Sequence, residues 1–165
     1  MALSISRDLT NVEIYTANLQ DIIDLTRKLL ERTNHFLAIK LDIEKAITDG
    51  KVPENLHKEE EKAQEEFFKA HSELGQRNDL LSMSTNVYRD RPLPMSILNN
   101  KTMNLDKVTQ EDRDFIRENE TRIQWYMELV RERKRRVQQL QREVDIAMLE
   151  VRFANQRAQT MRDRQ

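Results

Sequence analysis

The stretch VRERKRRVQQLQREV, residues 130–144, decides the fold expected for this chain. Its three valines recur at intervals of seven residues, and the series continues in both directions. The residues of this position, called a, are Ile116, Ile123, Val130, Val137, Val144, Val151 and Ala158. Apolar side chains at this spacing form one stripe along an α-helix and are typical of a coiled coil. The stretch therefore predicts a long helix whose stripe packs against other helices.

A second position of the same heptad, called d, completes the stripe. Its residues are Asn119, Tyr126, Arg133, Leu140, Ala147, Ala154 and Met161. We call the a and d residues together the seam. Leucine at d would favour a parallel dimer, but only one of these residues is leucine, so the seam indicates no definite number of helices.

The composition favours the same interpretation. The chain has 165 residues, of which 35% are charged, and contains only two glycines and three prolines. So few turn-forming residues disfavour β-sandwiches and α/β folds, which need frequent turns. We predict an all-α fold of long antiparallel helices, in an up-down-up three-helix arrangement with a projecting C-terminal helix.

Two breaks divide the chain into three helical parts. Gly50 suits the turn after a helix end, and Pro53 suits a helix start. A second proline-containing segment lies at 89–109. The predicted organisation is an N-terminal helical hairpin over 1–88 with helices at about 8–49 and 54–88, a linker over 89–109, and a long coiled-coil helix within 110–165.

Opposite charges predict the register of the last two helices. Residues 131–136, called the basic run, carry five basic side chains, and residues 58–66 carry five acidic ones. If the helices fold back with their facing ends level, Glu60 lies opposite Val137 and the two segments meet. The predicted pairing charges are Glu59, Glu60, Glu61, Arg133, Arg135 and Arg136. Such exposed pairs set register more than stability, because each contributes only about 0.2–1 kcal/mol.

The basic run has three other interpretations. It can be a solvated helix face, a binding site for an acidic protein surface, or a binding site for the phosphates of nucleic acid. Aromatic side chains for base stacking are missing around these residues, which weakens the nucleic-acid interpretation. The net charge of −1 also provides no overall field that attracts polyanions.

The predicted register leaves the end of the last helix uncovered. Residues 144–163 would then extend past the hairpin, and a lone helix does not leave an apolar stripe in water. We therefore predict that another protein covers this overhang. The predicted partner-binding residues are Val144, Ala147, Met148, Val151, Phe153, Ala154 and Met161.

Charges beside the seam indicate the kind of partner. In a parallel homodimer through the seam, Arg157 would face Arg162 of the other chain, and no flanking pair would join opposite charges. The expected partners are therefore other coiled-coil proteins in a hetero-oligomer. A homo-oligomeric bundle is the alternative.

The single tryptophan, Trp125, stands next to Tyr126 near the start of the last helix. Aromatic side chains of helical bundles mostly fill the core, so we expect both to pack between helices. The alternative is an anchor for a partner, because Trp and Tyr are frequent hot spots of interfaces.

No motif predicts catalytic residues, a cofactor or a metal site. Cysteine is absent, and the three histidines, His35, His57 and His71, lack the spacing of metal ligands. Two isolated glycines cannot form a phosphate-binding loop. We therefore expect a protein that is not an enzyme.

The expected function is that of a coiled-coil structural or scaffolding subunit, which holds partner proteins in a larger complex. In composition and periodicity the chain is similar to small coiled-coil subunits of cytoskeletal, kinetochore, tethering and nuclear-pore assemblies. Without a bilayer-spanning apolar run or the features of a secretory signal, we expect a soluble intracellular protein of the cytoplasm or nucleus, with no membrane insertion. The alternative function is nucleic-acid binding through the basic run.

Overall fold

The computed structural model describes residues 5–86 and 110–164, whose regular structure is entirely helical. The helices are α1 (Ile5–Thr48), α2 (Glu54–Asn86), α3 (Gln110–Glu118) and α4 (Glu120–Asp163). Only Asn119 separates α3 from α4, and its carbonyl accepts a hydrogen bond from the amide of Ile123 at 2.9 Å. The predicted all-α fold is confirmed. The predicted linker over 89–109 lies outside the described residues.

The turn between α1 and α2 follows from Gly50 and Pro53. Gly50 has a φ of 99°, which residues with a Cβ rarely adopt. Its amide donates to the carbonyl of Ile47 at 3.1 Å and thus closes the end of α1. Pro53 directly precedes α2, and its carbonyl accepts from the amide of Leu56 at 3.1 Å. The predicted break at this position is confirmed.

The two glycines should respond to alanine substitution in opposite directions. We expect Gly50→Ala to lower the free energy of unfolding by about 1–2 kcal/mol, because the side chain disfavours a left-handed backbone. Gly75 lies inside α2, and a Cβ there would have no neighbour within 4 Å. Gly75→Ala should therefore raise the free energy of unfolding by about 0.5–1 kcal/mol. Urea unfolding followed by circular dichroism measures both; equal signs would contradict the assigned conformations.

Contacts divide the chain into two compact units. Of the described residues, 5–22, 77–86 and 110–136 belong to the first unit, and 23–76 and 137–164 belong to the second. The long helices α1, α2 and α4 contribute residues to both units.

In the second unit, α1 packs against both α2 and α4 around an apolar cluster. The buried members are Phe36, Ile39, Ile43, Ile47, Ala63 and Ala158, and the half-buried side chains packed on them are Val52, Leu56, Val151 and Met161. Burial of this apolar surface provides the main stabilisation, at about 25 cal/mol per Å².

Ion pairs show the direction of the helices in the second unit. Three pairs join α1 to α2: Lys28–Glu73 at 3.3 Å, Arg32–Glu66 at 3.2 Å and Lys40–Glu60 at 3.3 Å. Residue numbers rise along α1 as they fall along α2, so the two helices are antiparallel. Between α1 and α4, Lys40 donates to Asn155 at 3.1 Å and Arg157 pairs with Glu44 at 2.7 Å. Both numbers rise together, so α4 runs parallel to α1.

In the first unit, polar side chains join the same helices. Arg77 of α2 pairs with Asp21 of α1 at 2.5 Å. Arg122 of α4 pairs with Glu13 of α1. Hydrogen bonding to Tyr126, followed by the charge of Glu13, raises the pKa of Arg122 above its ordinary value. This guanidinium therefore stays charged at any physiological pH.

The seam of α3 and α4 faces the interior, as its spacing predicts. Its buried residues are Ile123, Val130, Leu140, Val144, Ala147, Ala154 and Ala158. Its half-buried residues are Asn119, Tyr126, Arg133, Val137, Val151 and Met161. Ile116 lies outside the described side chains, and no other seam residue is exposed.

Candidate functional site

The predicted partner-binding surface is largely covered by the chain itself. Val144, Ala147 and Ala154 are buried. Val151 and Met161 pack against the apolar cluster of the second unit, and Met148 is half-buried. Residues 144–163 therefore do not form a projecting overhang, and that part of the prediction was wrong. Of the seven predicted residues, only Phe153 is exposed.

The register between α2 and α4 explains this result. The Nζ atom of Lys40 lies 3.3 Å from Glu60 and 3.1 Å from the Oδ1 atom of Asn155, so these two residues are level. The prediction placed Glu60 opposite Val137, which is 18 residues earlier (155 minus 137). The prediction assumed that α2 and α4 meet with their ends level. The observed register instead brings the last five turns of α4 alongside α1, where their apolar side chains are buried.

The predicted acidic pairing residues also have other neighbours. Glu60 pairs with Lys40 of α1, with side-chain exposures of only 24% and 14%. Glu59 and Glu61 are exposed. The predicted position of Glu60 opposite Val137 was therefore wrong. Its carboxylate instead pairs with the largely buried amine of Lys40.

The basic run lies in the first unit and partly serves the packing of α4 on α1. Arg133 donates a hydrogen bond of 2.6 Å to the carbonyl of Thr16. The amine of Lys134 lies 5.6 Å from the ring centroid of Tyr15. Among the other basic side chains of the run, Arg131, Arg135 and Arg136 are exposed. Arg133 therefore contributes to helix packing, although its predicted partner was an acidic residue of α2.

A second apolar stripe runs along the outer face of α4 in the second unit. Its residues are Ile146, Leu149 and Phe153, with exposed fractions of 59%, 45% and 47%. We call them the outer stripe. Their spacing of three and four residues places them on one helix face, opposite the seam. The chain exposes here the kind of side-chain row that coiled-coil partners cover.

The outer stripe is bordered by fixed charges. Arg157 donates to both carboxylate oxygens of Glu44, at 2.7 and 3.2 Å. Hydrogen bonding to Glu44 raises the pKa of Arg157 above its ordinary value. A surface cavity of about 460 Å³ adjoins Phe153 and is also lined by Glu44, Arg157 and Met161. The end of the stripe thus combines the aromatic ring of Phe153 with the ion pair of Arg157 and Glu44.

An open groove lies between α2 and α4 in the second unit. It encloses about 250 Å³, and its lining includes Phe36, Gln64, Phe67, Met148, Val151 and Arg152. The rings of Phe36 and Phe67 stack at a centroid distance of 6.1 Å and form its apolar floor. Phe68, next to Phe67 and four residues after Gln64 of the lining, is 58% exposed and lies beside the groove on α2. We call this feature the α2–α4 groove.

Trp125 forms a third exposed apolar feature, in the first unit. Its side chain is 55% exposed, so the expected packing between helices was wrong for this residue. Its ring contacts that of Tyr126 edge to face at 4.8 Å. The seam spacing distinguishes the two residues, because Tyr126 occupies a d position and Trp125 does not.

Within 5–86 and 110–164, no three histidine or acidic side chains are grouped so that they could hold a metal ion. Among the same residues, no helix is sufficiently long and apolar to cross a bilayer. The outer stripe and the α2–α4 groove are exposed apolar features, and exposed apolar patches often mark binding surfaces.

Comparison of the chain with protein families, characterised proteins and solved structures finds no match. The outer stripe and the α2–α4 groove are the two candidates within the second unit.

Proposed function

We propose that the chain is a non-enzymatic structural subunit that binds a helix of another protein along the outer stripe of α4. One observation carries this proposal. The chain's own helices cover the seam of α4, whereas Ile146, Leu149 and Phe153 form a second row at coiled-coil spacing and are each about half exposed. A helix of a partner laid along this row would bury it as the seam is buried.

The magnitude of this burial indicates a larger assembly. Full burial of a large apolar side chain contributes about 1.5–3 kcal/mol, so three half-exposed ones contribute about 3 kcal/mol. A dissociation constant of about 1 μM requires roughly 8 kcal/mol, in addition to the entropy lost on association. The stripe therefore needs further contacts with the same assembly, as a scaffolding subunit with several neighbours would make.

The charges beside the outer stripe favour a partner with a different sequence. In a parallel homodimer through the stripe, a residue beside the stripe in one chain meets the residue five positions later in the other chain. Asp145 would then face Glu150, and Arg152 would face Arg157. Both contacts join like charges. A hetero-oligomeric coiled coil is therefore preferred to a parallel homodimer at this surface.

The proposed setting is an intracellular complex of the cytoskeletal, kinetochore, tethering or nuclear-pore kind. Nucleic-acid binding through the basic run is the weaker proposal, because Arg133 and Lys134 already contact α1 in the first unit. Those contacts leave fewer cations of the run available to phosphates.

Serine substitutions test the proposal in the cells that make the protein. We expect the triple variant I146S/L149S/F153S to leave the native assembly and to sediment at the size of the free chain. The three side chains are about half exposed, so the free energy of unfolding should fall by about 1 kcal/mol or less at each site. Sedimentation of cell extracts, with the tagged chain as the tracer, gives the measurement.

The matched control replaces three other exposed apolar side chains, in the variant I14S/L41S/L80S. It should sediment with the assembly as the wild-type chain does. If the outer-stripe variant stays in an assembly of wild-type size, the stripe does not bind the partner and the proposal fails.

A further inference from the structure

The α2–α4 groove exposes an aromatic residue beside an apolar cavity of about 250 Å³. Phe68 lies beside the groove on α2, 58% exposed, with its ring 5.4 Å from that of Phe67 in the groove floor. Met148 and Val151 form the opposite wall on α4. The groove thus has room for an apolar side chain and also presents one of its own.

The two edges of the groove differ in charge. Glu61 and Phe68 lie three residues before and four residues after Gln64 of the groove lining, so they share its face of α2. Glu65 lies four residues after Glu61 and three before Phe68, so it borders that face on the side away from the groove. All three are exposed. The α4 edge carries Arg152, which is also exposed. None of these three charged side chains forms an ion pair with another residue of the described ranges.

The charges of the two edges are level along the groove. Lys40 contacts both Glu60 and Asn155, which fixes the level of α2 relative to the antiparallel α4. Because the helices are antiparallel, a residue three positions before Asn155 on α4 is level with the residue three positions after Glu60 on α2. Arg152 is therefore level with Ala63, between Glu61 and Glu65 on the opposite edge. By the same relation Phe68 is level with Met148 to within one residue.

The geometry points to a second copy of this chain as the occupant of the α2–α4 groove. Two copies face each other about a two-fold axis parallel to the helices, so the α2 edge of each lies on the α4 edge of the other. Arg152 of one copy then lies between Glu61 and Glu65 of the second copy. Phe68 packs on Met148 of the second copy and fills its groove. Each contact occurs twice, as in any isologous dimer.

Charge selects this axis over the other two-fold arrangement. A two-fold axis perpendicular to the helices would instead place the α2 edge of one copy on the α2 edge of the other. Glu61 and Glu65 of one copy would then face the same carboxylates of the second copy. Like charges in contact disfavour such an interface. The inference does not depend on the proposed function, because Ile146, Leu149 and Phe153 are not part of the groove lining, and the two surfaces adjoin only at Arg152. A dimer formed through the groove leaves both outer stripes open.

Charge reversal tests the dimer with the purified full-length chain. Sedimentation equilibrium over a range of concentrations should show a monomer–dimer equilibrium for the wild-type chain. R152E should weaken dimerisation about 10-fold or more, because four attractive contacts become repulsive. The combination E61K/E65K/R152E should restore the wild-type constant to within about 3-fold, since every pair is again opposite in charge. The control K69E changes an exposed cation away from the groove and should dimerise normally.

A second variant and a spectroscopic signal identify the surface independently of charge. F68S should weaken dimerisation about 10-fold, whereas F153S on the outer stripe should leave it unchanged. The methyl NMR signal of Met148 should shift with protein concentration, and that of Met161 should not. All of these changes are at exposed sites, and circular dichroism checks that each variant is folded.

Several results would overturn the inference. One is a chain that stays monomeric at every concentration. Others are a dimer that tolerates both R152E and F68S, or a triple charge variant that fails to recover. A dimer lost in F153S but kept in F68S would place self-association on the outer stripe. None of these results depends on whether another protein occupies the outer stripe in cells.

Discussion

We expect Val144→Asp to lower the free energy of unfolding by about 4 kcal/mol or more, enough to unfold most of the chain. Val144 is 0% exposed, so an ionised carboxylate there would lose its water without gaining a partner. The same substitution at Ile146, two residues further along α4 and 59% exposed, should change the free energy of unfolding by about 0.5 kcal/mol or less.

The two variants form a matched pair because they place the same charge on the same helix. Urea unfolding followed by far-UV circular dichroism measures both free energies. If α4 projected into solvent over 144–163, both substitutions would be harmless to the isolated chain. Equal stabilities would therefore contradict the burial of the seam.

Phe36→Ala should lower the free energy of unfolding by about 3–5 kcal/mol, the usual range for a large buried aromatic side chain. Phe36 is 8% exposed and lies in the apolar cluster that α1 forms with α2 and α4. Its ring stacks on Phe67, and the amine of Lys40 lies 5.4 Å from its centroid. The substitution removes these contacts and enlarges the adjoining groove.

Phe153→Ala is the control for this prediction. Its ring is 47% exposed on the outer stripe, so the loss should be about 1 kcal/mol or less. Thermal and urea unfolding of the two variants at low protein concentration give the comparison. A Phe36→Ala variant no less stable than Phe153→Ala would show that the centre of the second unit is not packed as described.

Sequence spacing predicted the helices and the buried face of the last one. Gly50 and Pro53 identify the turn because glycine accepts the positive φ that ends α1, and proline tolerates a first helical position. The β-branched residues of the seam predict burial because a seven-residue spacing keeps them on one face. Both signals are local in the sequence, and local signals specify individual helices well.

The register of α4 could not be predicted in the same way. Charge matching placed Glu60 opposite Val137, but exposed ion pairs contribute about 0.2–1 kcal/mol each. Burial of a seam that extends to Met161 contributes several times more, and α1 offers a continuous apolar face that can cover it. The observed register buries the last turns of α4 and gives Glu60 an ion pair with Lys40 instead.

The outer stripe was only partly predicted. Phe153 was among the expected partner residues, but Ile146 and Leu149 were not. Their spacing with Phe153 is visible in the sequence as a second three-and-four pattern, offset from the valines of the seam. The spacing of apolar residues along α4 cannot show whether the chain's own helices cover the seam or the outer stripe. That depends on the arrangement of the other helices.

Three ion pairs between α1 and α2 in the second unit have the same polarity, with the cation on α1 and the carboxylate on α2. If the α1–α2 hairpin opens while the protein refolds at high concentration, α1 of one molecule can pair with α2 of another. The cations of α1 then meet the same carboxylates of α2 as in the native chain. Two copies of α1 would bring cations against cations. We expect such misassembly to favour exchange of equivalent halves, because that exchange rebuilds these three ion pairs, whereas contacts between identical helices do not.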